Sequence, residues 1–165
     1  MSKKILIDLA KFRVSQKGDF NYGECIYDFH PDNVGMKAVI ERAMLRFTCR
    51  RCEDAPCIAI CPEDALERDE EGIIDRATNL CVGCQSCVAV CPFGTLMNEI
   101  ITAKKSICDL ESCLKSESPL RCIETAPAGA IIVTEMEADH EQNIFQLDDH
   151  ILVKEVRWED LIKDE

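Results

Sequence analysis

The chain has 165 residues, with 31 Asp or Glu against 19 Lys or Arg, a formal net charge of −12. A nucleic-acid backbone would repel such a surface, which argues against a nucleic-acid partner. No apolar run reaches the ~20 residues that a membrane-spanning helix needs, which argues against insertion into a bilayer. Twelve cysteines, in a length suited to one compact unit or two small lobes, make thiol chemistry the dominant feature.

In chain order, the opening "MSKKILIDLAKF" holds two lysines and a short apolar stretch broken by Asp8. It does not read as a secretory signal, and a cytoplasmic location is expected. In a reducing compartment, metal ligation is the favoured use of many cysteines, with disulfides the alternative. "KKILIDLAKF" alternates as a strand does. Over residues 30–48, Val39, Ile40, Ala43, Met44 and Phe47 recur at helical spacing and predict a helix with a core-facing stripe. Cysteines dominate from 49 to 133. Between them, "ALERDEEGIID" reads as a hairpin turning at Glu71-Gly72, and "GTLMNEI" is a second short apolar run. "AIIVTEM" (130–136) predicts a strand, the acidic residues 137–149 a surface loop, and "HILVKEVRWEDLIKDE" a strand followed by a short helix. Trp158 fits local packing, with an interface anchor the alternative. His30, His140 and His150 are too scattered for catalysis. Neither a phosphate-cradling glycine loop nor a catalytic triad is present. No catalytic residue is predicted.

The run "CVGCQSCVAVCP" is Cys81-x2-Cys84-x2-Cys87-x3-Cys91-Pro92, the spacing of bacterial-type ferredoxins that bind [4Fe-4S] clusters. Three thiolates on a curled loop can reach three corners of a cubane. The fourth follows a helical turn and points away, towards a neighbouring cluster. Zinc sites use two separated Cys-x2-Cys hooks and do not need this run. "CRRCEDAPCIAICP" is a variant, Cys49-x2-Cys52-x4-Cys57-x3-Cys61-Pro62. Two such runs suggest exchanged fourth ligands. One set is Cys49, Cys52, Cys57 and Cys91; the other is Cys81, Cys84, Cys87 and Cys61.

Cys25, Cys108, Cys113 and Cys122 remain, and they could be ordinary buried thiols. A third phrase, "CIETAPAGAI", repeats the pattern of "CIAICPEDAL" and "CVAVCPFGTL" with Ala126 in place of the last cysteine. With these motifs the chain resembles the iron–sulfur electron-transfer subunits of molybdenum- and tungsten-enzyme complexes and some hydrogenases, over most of residues 5–133. The resemblance implies four cysteine runs, with the middle two paired and the outer two paired. In this sequence one outer ligand set is absent, Ala126 standing at one of its positions. The other outer set is complete as Cys25, Cys108, Cys113 and Cys122. Glu111 stands where the family usually has a cysteine; sulfur suits a ferric site better than a carboxylate, which favours Cys113 as the ligand. The resemblance therefore implies three [4Fe-4S] clusters. The lost site is expected at an outer end of the chain of clusters, so that the survivors form an unbroken relay. Its former surroundings, Phe12 to Phe20 and Ala126 to Ala130, are expected to hold ordinary packing or a docking face.

The expected fold is α+β: a ferredoxin-like 2[4Fe-4S] core with a pseudo-symmetric second lobe carrying one further cluster. Residues 1–134 would form the cluster-binding region, with 49–100 its central two-cluster unit. Residues 135–165 would be an acidic loop with a closing strand and helix, open to partner docking. The implied role is electron transfer between a catalytic oxidoreductase subunit and a second redox partner. "HPDN", "TCRRCEDAPC" and "CPFGT" look most like small subunits of tungsten-containing aldehyde-oxidoreductase-type enzymes, the benzoyl-coenzyme A-reducing enzyme among them. A hydrogenase or formate dehydrogenase partner, a freely diffusing ferredoxin and a structural zinc protein are the alternatives.

Overall fold

The computed structural model describes residues 3–14, 22–25, 34–103, 106–115 and 119–161. The elements run β1 (Lys4–Asp8), α1 (Leu9–Val14), α2 (Gly35–Phe47), α3 (Pro56–Ala59), β2 (Leu66–Arg68), β3 (Ile74–Arg76) and α4 (Ser86–Val90). They continue with α5 (Leu110–Lys115), α6 (Arg121–Thr125), β4 (Ile131–Thr134), a 3-10 turn at His140–Gln142, β5 (Ile144–Asp148), β6 (Ile151–Lys154) and α7 (Trp158–Leu161). The chain divides into two compact units, one of residues 1–37 with 106–165 and one of residues 38–105. No helix among the described residues is long and apolar enough to cross a membrane.

In the first unit a four-stranded sheet has the order β4-β1-β6-β5. β1 lies antiparallel to β4 and parallel to β6. A strand with neighbours on both edges and cover on both faces shows no alternation, and Ile5, Leu6 and Ile7 are all buried. The predicted strand "KKILIDLAKF" is a strand only to Asp8. The Asp8 carboxylate then accepts the Ala10 N–H at 3.1 Å, which caps a helix start, so the second half of the segment is α1. The expected surface loop at 137–149 is likewise corrected. Asp139 Oδ1 accepts from the N–H groups of Glu141 (3.0 Å) and Gln142 (3.3 Å) and closes the 3-10 turn. The chain then enters β5, which buries Ile144 and Phe145 and pairs antiparallel with β6. The acidic composition concealed a strand whose stability comes from a partner later in the chain. The same pairing means that the expected boundary after residue 134 separates nothing, because β5 and β6 complete the sheet begun by β1.

In the second unit the predicted stripe Val39, Ile40, Ala43, Met44 and Phe47 is buried throughout. Full burial of its Val, Ile, Met and Phe side chains contributes roughly 1.5–3 kcal/mol each. The helix starts at Gly35; His30 and the rest of 30–33 lie outside the described residues. β2 and β3 form the predicted hairpin, paired from Leu66↔Arg76 to Arg68↔Ile74. Its turn spans 69–73, where Asp69 Oδ1 accepts from the N–H of Glu71 (2.9 Å) and of Ile73 (2.8 Å). "GTLMNEI" forms turns that bury Leu96 and Ile100.

Candidate functional site

Three short stretches repeat one local design. α3 carries Cys57 and leads to Cys61-Pro62, α4 carries Cys87 and leads to Cys91-Pro92, and α6 carries Cys122 and leads to Ala126-Pro127. A residue before proline avoids the helical region. Cys91 (ψ 109) and Ala126 (ψ 165) are accordingly extended, and each helix is one turn long. Three residues after each Cys or Ala the backbone turns left-handed, at Asp64 (φ 49), Gly94 (φ 62) and Gly129 (φ 69). In the first two turns this curls N–H groups back onto sulfur. Ala65 N–H donates to Cys61 Sγ at 3.3 Å, and Phe93, Leu96 and Thr95 donate backbone N–H groups to Cys91. In the third turn there is no sulfur to receive them. Instead Lys11 Nζ, from α1, donates to the Gly129 carbonyl at 2.9 Å, Ala130 N–H donates to Pro127 at 2.8 Å, and Phe12 and Ala130 are buried. Residues 15–20 lie outside the described ones.

The two complete runs are interleaved. One cavity is lined by Cys49, Cys52, Cys57 and Cys91, with Leu45, Ala55, Pro56, Ile74, Phe93 and Leu96 among its walls. A second is lined by Cys61, Cys81, Cys84 and Cys87, with Ala65, Leu66, Ile101 and Arg76. Each therefore gathers three thiols from one run and the last thiol of the other. Burial pushes the thiols of Cys49, Cys57 and Cys87 up, and neighbouring sulfurs add to it. Burial would also raise Cys91, but the three N–H groups and the Thr95 hydroxyl outweigh it and its pKa falls. Cys84 is exposed, and Ser86 Oγ, 3.5 Å from its sulfur, lowers its pKa.

The four remaining cysteines also stand together, in the first unit. Cys108 is pushed up to about 12, first by burial and then by Cys113, Cys122 and Cys25. Cys122 is pushed up to about 11 by burial, Cys113 and Cys25. Glu111 points elsewhere: it is exposed and pairs with Lys115 at 2.6 Å, which lowers its carboxyl pKa. Among the described residues, no group of three or more His, Cys, Asp or Glu is placed to hold a single metal ion.

Residues 40–136, more than half of the chain, match the 4Fe-4S dicluster domain. The chain belongs to this family. It is 38% identical over 93 residues to YsaA of Escherichia coli (strain K12), covering 54% of this chain and 56% of that protein. It is 38% identical over 89 residues to the ferredoxin-like protein YdhX of the same organism (53% and 40%). It is 34% identical over 89 residues to the thiosulfate reductase electron transfer subunit PhsB of Salmonella typhi (53% and 46%). The chain thus spans about half the length of the curated relatives it matches. A dicluster domain implies [4Fe-4S] clusters, and the donor chemistry fits them: each cavity offers four sulfurs within largely apolar walls, the soft donors such clusters require. The matched span includes every cysteine except Cys25.

Sequence reasoning missed the residues that support these thiols. Gly23 lies at φ +84, and a Cβ there would come within 2.9 Å of Cys122 Cα and closer still to its carbonyl oxygen. A Cβ on Gly35 would meet the Ile107 carbonyl at 2.7 Å and Cys108 Cα at 3.1 Å. Glycine is the residue that allows so close a backbone approach. Gly23, two positions before Cys25, carried a signal in its proximity to that cysteine. Thr95 and Arg76, which touch Cys91 and Cys81 respectively, carried none.

Proposed function

We propose that this chain is an electron-transfer subunit, relaying single electrons through three [4Fe-4S] clusters between a catalytic oxidoreductase subunit and a second redox partner. The observation that carries this reading is the pair of thiol-lined cavities, each completed by the other run's last cysteine. Cys49, Cys52, Cys57 and Cys91 would hold one cluster, and Cys81, Cys84, Cys87 and Cys61 the second. Cys25, Cys108, Cys113 and Cys122 would hold a third, in a pseudo-symmetric lobe. Its support is their mutual proximity and the engagement of Glu111 by Lys115.

A bound cubane takes up or releases one electron with little rearrangement. The chain supplies apolar burial and N–H groups directed at sulfur, which together set the potential. The repeated turn geometry at Ala126-Pro127-Ala128-Gly129, with Phe12 buried and Lys11 on the Gly129 carbonyl, supports a fourth site that has been lost. We place that site at an end of the relay, because electron hops weaken steeply with distance and an internal gap would stop transfer. A tungsten or molybdenum catalytic partner, and a cytoplasmic location, rest on the resemblance and on the sequence.

Anaerobic analysis tests the cluster count: about twelve iron and twelve acid-labile sulfide per chain are expected, at four of each per cluster. About eight iron would return Cys25, Cys108, Cys113 and Cys122 to ordinary thiols. Native co-purification tests the partner: a larger complex containing a tungsten or molybdenum subunit supports the assignment. A lone monomer supports the freely diffusing ferredoxin.

A further inference from the structure

Two arginines line the thiol cavities of the second unit, and they differ in kind. Arg50, at the first cavity, is exposed and its guanidinium lies over the Phe93 ring at 5.2 Å. Arg76, at the second, is a strand residue only 7% exposed. It is held on three sides. Nε and one terminal nitrogen donate to the two Glu41 oxygens at 2.5 and 2.6 Å, and the other terminal nitrogen donates to the Thr102 carbonyl at 3.0 Å. The Cys81 sulfur lies near the guanidinium and, after Glu41, helps to hold it charged. Arg76 lines the cavity and Glu41 does not, so the pair presents its positive end to the sulfurs and its negative end away from them.

A buried ion pair is costly to desolvate and is weak evidence of a stabilising role, so its orientation calls for another explanation. Charge next to a cluster, and hydrogen bonds to its sulfurs, bias how readily an electron is added. In a low-dielectric setting that bias is large, and salt screens it little. In the first cavity, Cys91 receives neutral donors, the Thr95 hydroxyl and backbone N–H groups. The remaining charged residue lining the second cavity, Glu63, is exposed and screened.

We propose that Arg76, oriented by Glu41, is a potential-setting residue that raises the reduction potential of the cluster held by Cys61, Cys81, Cys84 and Cys87 above that of the cluster held by Cys49, Cys52, Cys57 and Cys91. The second cluster is then the electron-accepting member of the pair. This rests on the ligand assignment proposed above. Arg76 acts through its charge beside the cavity that Cys81 also lines, and it does not itself transfer electrons.

The test is an anaerobic redox titration of the intact iron-loaded chain, followed by electron paramagnetic resonance. The signal altered in Cys84→Ser identifies the second cluster. If Cys84→Ser alters no signal, the ligand assignment itself fails, an outcome distinct from any shift in midpoint. Glu41→Gln removes the compensating negative charge and keeps the side chain's shape, so the midpoint of the second cluster is expected to rise. The double variant Arg76→Gln/Glu41→Gln removes both charges without orphaning either, and its midpoint is expected to fall below the wild-type value. The other signals are expected to stay in place in both variants. Unchanged midpoints, or shifts of the same sign in both, would overturn the proposal, because loosened packing has no reason to reverse sign. If the double variant loses iron, Glu41→Gln decides alone: a rise upholds the proposal, and no shift or a fall overturns it.

Discussion

Gly23→Ala offers the sharpest test of the proposed third cluster, because the perturbation is a single methyl group and the displacement can be read from the structure. The new Cβ would sit 2.9 Å from Cys122 Cα, where ordinary contact begins at 3.4 Å. The chain segments bearing Cys25 and Cys122 must therefore separate by at least half an ångström, and further to clear the Cys122 carbonyl. Both obstructing atoms belong to backbone, so no rotamer change relieves the overlap. Iron–sulfur bonding at a built site tolerates deviations of about 0.2 Å, less than half of that movement. The left-handed backbone at φ +84 adds roughly 1–2 kcal/mol of strain for alanine. The expected result is loss of one cluster, about eight iron per chain in place of about twelve, with the signals of the two ferredoxin-type clusters unchanged. Gly94→Ala is the control: it has the same kind of backbone (φ +62) but nothing within 4 Å of its Cβ, so it carries the strain without the displacement and should keep all its iron. Iron and sulfide analysis with low-temperature electron paramagnetic resonance reads both variants. A Gly23→Ala chain with a full iron complement would refute the reasoning and detach Cys25 from Cys122.

Further outcomes are expected at other positions. Cys113→Ser should bring iron down towards about eight per chain, whereas Glu111→Gln, whose carboxylate is engaged by Lys115, should change neither iron nor spectrum; the reverse pattern would make Glu111 the ligand. Phe12→Ala, at a side chain 2% exposed, should cost about 3–5 kcal/mol and lower the thermal midpoint by about 6–20 °C with iron content unchanged; loss of iron instead would show that this position still supports a cluster. Because Cys84 is the exposed member of its set, mild ferricyanide or air oxidation should bleach the second cluster first in a spectroscopic time course, and prior loss of either other cluster would contradict that order.

Much of this protein was legible in one dimension because most of its cysteines come from short, regularly spaced runs. The ferredoxin-type spacing of the two complete runs suggested which of their thiols share a cavity, since each one-turn helix and Cys-Pro turn is a local structure set by its own residues. The stripe of α2 and the hairpin of β2 and β3 were readable for the same reason: periodicity and turn chemistry act within a few residues. The sheet was not. β5 exists because Ile144 and Phe145 find β6, and β1 is central because β4 and β6 arrive from more than a hundred residues away. Acidic flanking residues hid the first fact, and nothing in "KILID" announced the second. Gly35 looks like an ordinary glycine until the backbone of Cys108 is brought against it. Arg76 looks like a surface residue of a charged hairpin. Only packing shows it buried between Glu41, Thr102 and Cys81, because the character of a charge depends on what has been folded around it.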